Sequence, residues 1–546
     1  MKSSVKKFLK WSGIVVGVMI VLALALGAYI YSILPKNIGS PVQLQAELFQ
    51  KPSQPFPMDG KYIYKSATEL ASLIRSHQVT SLEVVTEFLN NIKNNNYKYN
   101  ALIWIREQEA ITDAKLADEM IAKGDTLNKP LLGVPVTIKE IYWVKGSPST
   151  MNAKMYGFIA PEDAVVVSHL KEAGAIILGT TNVPYMLQDY QTQGEVYPTA
   201  SNPYDTTRTP GGSTGGGAAA LAAGFTSLEL GSDLGGSIRI PSVFCGLYGL
   251  KTTFGAINIT EGGSPDTVTK YTRLALASGG PLARTPEDLQ LMWDVLKTTP
   301  QDKKFYTDIH YLPTENKALG QIKLAWIGNW KHGNRTASIG SDLTFALERF
   351  IDSLRINNVQ VTDTAPDLYD DMEKNFFGTF SSMIGEGQPW LLRKLIGMDL
   401  KKWGEGDTVP NENFKAALEA LDDASDEKWI QLVNDRKKLI AKWEEFFKQY
   451  DFFICPVTYG PAIKKCPPFS NLTSDDGVQM PYFHYFQYAV IFNATGHPSI
   501  TIPMGLTKNG LPVGIQIVGP YYSEDRLLQF AKMIEPFTSE FIKPQN

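Results

Sequence analysis

A chain of 546 residues, 43% of them hydrophobic, is long enough to bury a large core and to hold more than one domain. Its net charge of −4 and isoelectric point near 6.0 give no electrostatic footing for nucleic acid. Three cysteines (Cys245, Cys455, Cys466) form no CxxC pair, and six scattered histidines show no HExxH spacing, so neither a disulfide framework nor a metal centre is expected.

Lys2, Lys6, Lys7 and Lys10 precede an uncharged run from Trp11 to Leu34. A bilayer core needs about 20 helical residues, whereas the apolar part of a secretory signal is usually about 7 to 15. Residues 11–34 therefore read as an uncleaved transmembrane signal anchor behind a basic segment, 1–10; cleavage after Gly27, with Ala25 upstream of the cut, is the other reading. Clustered lysines stay cytoplasmic, which puts the remainder on the extracytoplasmic side of a membrane, periplasmic in a bacterium. Residues 35–60, with KPSQPFP, read as a proline-rich tether, and 61–546 as one folded unit with a less regular middle, 303–450.

Leu70, Leu73 and Ile74 recur at helical spacing in a helix near Ala67 to Ser76. Thr80 and Glu83 cap a second, with Val84, Val85, Phe88, Leu89 and Ile92 on one side. A third, Glu107 to Lys123, has an alanine-rich face. Apolar runs then alternate with helices: LLGVPVTI ends at Lys139 and AIILGTTNVP near Thr180 and Asn182, the pattern of a buried, largely parallel sheet. By position alone Lys139 is a solvated strand end.

Pro210 to Thr253 holds two glycine-framed serines, Ser213 and Ser237, around a short buried helix near Ala218 to Gly224. Glycine and serine clusters are commonly turns or linkers, but AAALAA and the following IRIPSVFCGLYGL belong to a packed interior. Ser232 to Ser237 offers consecutive amides with little side chain in the way, a nest that suits an anion, including the oxyanion of acyl transfer.

Beyond Lys303 come a strand in LGQIKLAWIG, a helix with Leu343, Leu347 and Ile351 inward, and a long helix ending near Tyr450. Between them, Pro389 to Trp403 places Leu392, Leu395, Ile396, Leu400 and Trp403 on one face, beside Arg393, Lys394, Lys401 and Lys402. It reads as an ordinary packing helix, with a lid or membrane-surface helix as the functional reading. DFFICPVT, PSITIPMG and GLPVGIQIVGP are buried strands, followed by a helix around SEDRLLQFAKMIE.

The serine segment, the GVPVTIKEIYWVKG stretch upstream and NATGHPSITIPMG with GLPVGIQIVGP downstream together resemble the amidase signature family, over about Ser66 to Glu535 apart from the divergent middle. The resemblance implies an α/β fold, a large mixed, mostly parallel twisted sheet flanked by helices. It also implies an amidase that needs no cofactor and cleaves the carbon–nitrogen bond of an amide through a serine acyl-enzyme. Ser237 matches the family nucleophile, Ser213 a bridging serine preceded by a cis peptide, and Lys139 the base. The amides of Leu234, Gly235, Gly236 and Ser237 match the oxyanion site; Asp233 and Arg239 match loop-fixing residues, and Ser232 and Thr214 network partners. Leu187 and Tyr190 are pocket residues by analogy with an acyl channel. A lysine with a pKa near 10.4 is a poor base at neutral pH, and burial at a strand end supplies the necessary lowering. Glu140, Thr214 and Gly217 depart from the residues usual in the family (Asp, a second Ser, and Ser or Glu), which bears on substrate preference rather than activity.

Three other readings compete. Gly211 to Gly215 also fits GxSxG, with Ser213 on a nucleophile elbow and His484 or His497 as base, but this leaves Lys139 and Ser237 without a purpose. A glutaminase subunit of a tRNA-dependent amidotransferase works with partners in the cytosol, against which the anchor argues. An inactive membrane-bound binding relative is opposed by the intact Lys139, Ser213 and Ser237.

Overall fold

The computed structural model describes residues 42–259, 276–297, 309–332, 335–386, 389–404, 412–423 and 425–545. The basic segment, the expected anchor at 11–34 and the first part of the tether lie outside the described residues; among the described residues no helix is long and apolar enough to cross a membrane.

Hydroxyls start the first two helices, the second at the expected Thr80. Ser66 accepts the Glu69 amide ahead of α1 (Ala67–Arg75), and Thr80 forms a reciprocal capping box with Glu83 ahead of α2 (Ser81–Tyr99). Their apolar faces, with Ala110, Ala114 and Ala117 of α3 (Glu107–Ala122), form one cluster that covers Leu102, Ile176 and Leu178 of the sheet. Part of the expected tether joins this layer. The Gln45 side chain bonds the Ile105 carbonyl (3.0 Å) and amide (2.8 Å), Leu48 is buried, and Asn96 donates to the Leu48 carbonyl. The folded unit thus begins before residue 61, because Gln45 satisfies an edge strand that would otherwise face water.

The sheet has eleven strands: β1 (Leu102–Ile105), β2 (Pro135–Lys139), β3 (Ile176–Thr181), β4 (Leu228–Asp233), β5 (Tyr248–Lys251), β6 (Ser278–Ala283), β7 (Lys323–Trp326), β8 (Gln360–Asp363), β9 (Phe452–Pro456), β10 (Ser499–Leu506) and β11 (Pro512–Val518), in the order β1-β3-β2-β4-β6-β5-β10-β11-β9-β7-β8. The parallel pairings are β3-β2 and β2-β4, and β9-β7 and β7-β8; the others are antiparallel. The sheet is therefore mixed, and the expectation of a mostly parallel one is corrected. Apolar runs report burial on both faces but not direction, and a connector as short as Thr507–Leu511 between β10 and β11 permits only an antiparallel pair.

In the divergent middle, α5 (Tyr369–Gly385) packs against α7 (Glu412–Asp422) and α8 (Asp426–Phe446). The Pro389 to Trp403 helix forms as α6 (Trp390–Gly404). It packs on α7, where Lys394 meets Asp422 at 2.8 Å, and leaves Trp390, Leu395 and Met398 exposed.

Candidate active site

β2 lies between β3 and β4 with helices on both faces, so the lysine at its end is not solvated: Lys139 is fully buried. Burial lowers its amine to about 7, against the opposing pull of Asp233 and Glu229. Its Nζ donates to Ser213 Oγ (2.7 Å), Ser232 Oγ (3.0 Å) and the Ser232 carbonyl (3.2 Å). In the neutral amine the 2.7 Å contact can run the other way, from the Ser213 hydroxyl to the nitrogen lone pair.

Ser213 follows a cis peptide bond at Gly212 and precedes α4 (Gly215–Ala222), which starts earlier than expected, inside the glycine run. Gly211 holds φ +90, and a Cβ there would sit 2.7 Å from the Pro241 Cα, so only glycine fits. Thr214 ties the two serine clusters together: its amide donates to the Ser237 carbonyl (3.2 Å) and its hydroxyl to the Ser232 carbonyl (3.2 Å). Ser213 and Ser237, 3% and 8% exposed, line one cavity of about 280 Å³.

The loop carrying Ser237 is folded around Asp233. Its carboxylate accepts the amides of Gly236 (2.7 Å), Ile238 (3.0 Å) and Arg239 (3.4 Å), Arg239 Nε and Nη2 (3.0 Å each), and Asn493 Nδ2 (2.9 Å). Burial alone would raise this carboxyl; the Arg239 charge and hydrogen bonds, Lys251 and Asn493 outweigh burial and hold it well below the usual range. Arg239 continues to Gln516 Oε1 (2.9 Å) and Asn493. Of the four amides expected at the oxyanion site, that of Gly236 is committed to Asp233, while those of Leu234, Gly235 and Ser237 have no partner among the described residues.

Leu187 and Tyr190 both line the cavity. Tyr190 donates to the Gly235 carbonyl (2.9 Å), bracing the nest, while Leu187 and its neighbour Met186 hold positive φ values of 63 and 48. The apolar wall that sequence reasoning missed comes from α5, through Phe376, Phe377, Phe380, Met383 and Ile384. The spacing of Phe376, Phe380 and Met383 along one helical face was a usable signal. No described residue lining the cavity comes from α6. Glu140, also buried, accepts from the Thr150 amide (2.8 Å), the Thr150 hydroxyl (2.7 Å) and Tyr197 (3.0 Å). It thereby fixes the segment that brings Met151 to the cavity wall.

The elbow reading of Ser213 is corrected. Irregular backbone, not a strand, precedes it, and His497 is buried against Trp443 and bonded to Glu444 (3.0 Å). The group on Ser213 is an amine.

An amine on a serine hydroxyl, a second serine beside unpartnered amides, and an apolar cavity form the constellation of an acyl-transfer enzyme. The family model described as Amidase matches residues 83–528, and the chain belongs to the amidase family: it is an amide-hydrolysing enzyme. It is 29% identical over 499 residues to a glutamyl-tRNA(Gln) amidotransferase subunit from Marinobacter nauticus, an alignment that covers 87% of this chain and 98% of the relative. Its fold is shared with 6-aminohexanoate cyclic dimer hydrolase (TM-score 0.69, 24% identity, 88% of this chain and 99% of that one). It is shared equally with a fatty acid amide hydrolase (TM-score 0.71, 19% identity, 89% and 87%).

Proposed function

We propose that this amidase hydrolyses amides with an apolar acyl group through an acyl-enzyme on Ser237, and that it works tethered to the extracytoplasmic face of a membrane. The observation that carries the reading is the buried Lys139 amine on Ser213 Oγ, at the end of the cavity that Ser237 also lines. Neutral Lys139 takes the Ser213 proton while Ser213 takes that of Ser237. Ser237 Oγ then bonds to the carbonyl carbon, and the oxygen gains its charge against the amides of Leu234, Gly235 and Ser237. As the C–N bond breaks, the relay runs back and protonates the departing amine. Water, activated along the same path, releases the acid and frees Ser237.

The acyl side follows from the wall. Phe376, Phe380, Met383 and Ile384 face the cavity, and among the described residues lining it Asp189 is the one charged side chain. The relatives named as amidotransferase subunits favour a glutaminase as the second reading, but a glutamine carboxylate calls for a cation that these lining residues do not supply. Activity on primary amides graded by acyl length decides between them. Each buried methylene contributes up to about 0.8 kcal/mol, so kcat/KM should climb severalfold per added carbon until the cavity fills, and Phe380→Ala should depress long amides while sparing acetamide. A higher kcat/KM for glutamine than for pentanamide would sink the apolar-acyl reading.

The tether rests on the uncharged run from Trp11 to Leu34. The full chain should sediment with membranes after an alkaline carbonate wash, while a chain starting at Val42, which keeps Gln45 and Leu48, should stay soluble and active. Full-length protein recovered in the wash supernatant would refute the anchor.

A further inference from the structure

One fully buried carboxylate near Lys139 has no role in the relay. Glu229 on β4 stands opposite Thr137 of β2, accepts the Thr137 hydroxyl at 2.6 Å and the Thr181 hydroxyl of β3 at 2.7 Å, and is 0% exposed. Thr137 is two residues before Lys139 on the same strand, so both side chains project from the same face of the sheet. Room for the carboxylate comes from α4: a Cβ on Gly217 would lie 2.2 Å from Glu229 Oε1. No ordinary structural debt explains a carboxylate here, since two threonines on neighbouring strands could pair with each other or with backbone.

We propose that Glu229, held by Thr137 and Thr181 in the space Gly217 leaves open, is a positioning residue that governs when the Lys139 amine gives up its proton. The inference rests on Lys139 serving as the base. A carboxylate on the same face of the neighbouring strand stabilises the ammonium and so delays release of the amine as pH rises. Burial in turn pushes the Glu229 carboxyl up to about 7, with the two threonine hydroxyls and Lys139 opposing it. Both groups therefore sit near neutrality, and the charge on each bears on the titration of the other. Among the described residues, few other groups surround the pair. Asp233 ends the same strand, and Tyr142 follows β2 with its hydroxyl on the Gly231 carbonyl. β3 presents Thr181, β6 places Leu282 opposite Glu229, and α4 is built only of glycine, alanine and leucine.

The test is the pH dependence of decanamide hydrolysis by the full chain. Wild type should show a rising limb near neutrality that Lys139→Ala lacks. In Glu229→Gln the midpoint of that limb should fall by about 1 pH unit, the scale on which a nearby opposite charge moves a titration. A merely structural role would lower activity without moving the midpoint, so an unmoved or raised midpoint overturns the proposal. Should Glu229→Gln fail to accumulate, the same volume can be filled from the other side: Glu229→Gly with Gly217→Glu restores a carboxylate, and Glu229→Gly with Gly217→Gln an amide. The carboxylate pair should have the higher midpoint, and equal midpoints overturn the proposal. A wild-type limb that survives in Lys139→Ala is a different failure. It removes the base assignment itself, and this proposal with it.

Discussion

Lys139→Ala is expected to reduce amide hydrolysis by at least about 10²- to 10⁴-fold, the usual range for general acid–base catalysis, with a visibly smaller loss on the matched ester. The asymmetry follows from the relay. An amine leaves only when protonated, whereas an alkoxide departs with less help, so losing the group that both takes and returns the proton hurts the amide twice. Wild-type activity should rise with pH as the amine, lowered by burial to about 7, loses its proton; the mutant should lack that limb. Ser237→Ala should abolish both reactions together with any covalent acyl-enzyme trapped by a fluorophosphonate probe. An alanine variant at Lys139 within a few-fold of wild type, or an acyl-enzyme on the Ser237→Ala protein, would show that the nucleophile and base lie elsewhere.

The second large effect is on stability. Asp233 and Arg239 form an ion pair with neither side chain exposed to solvent, and removing one partner of such a pair costs about 3–5 kcal/mol because the other charge is left buried. Arg239→Met should therefore lower the urea midpoint sharply, and more than Asp233→Asn, which keeps the shape of the hub. The pH dependence has a definite sign. The folded Asp233 carboxyl titrates below its unfolded value of about 3.9, so its stabilisation is present above that value and is lost as pH falls through the folded one. Wild type should lose stability on acidification over a range in which Asp233→Asn is flatter; parallel curves would place the acid sensitivity in other groups.

Where the sequence was legible, a local pattern and a packed outcome coincided. The Thr80 and Glu83 cap reads directly as the start of α2, and the apolar run ending at Lys139 reads as β2. Other features had no local trace. Strand direction in the centre of the sheet depends on connectors rather than periodicity, and β6 (SGGPLA) is too rich in glycine to announce itself as a strand. The serines and the lysine were legible because glycine crowding and motif order mark them. Asn493 and Gln516, which complete the Arg239 hub, come from the far end of the chain, and a lone amide in an apolar run carries no signature of the charge it will meet. Glu229 was hidden for a related reason: in LELGSD it breaks a strand pattern, and only the neighbouring strands reveal what receives it.

The separation of the apolar wall from the catalytic sheet has a practical meaning for redesign. Lys139, Ser213, Ser232 and Ser237 belong to β2, to β4 and to the loops that follow β4 and precede α4, whereas Phe376, Phe377, Phe380, Met383 and Ile384 arrive on a single helix from the divergent middle. Recombining the segment from Tyr369 to Asp422 between related enzymes would exchange the α5 part of the cavity wall as one cassette and leave the proton relay in its own scaffold. Selectivity and turnover are then separately adjustable, and a library confined to one face of α5 would explore new substrates without touching any group that moves a proton.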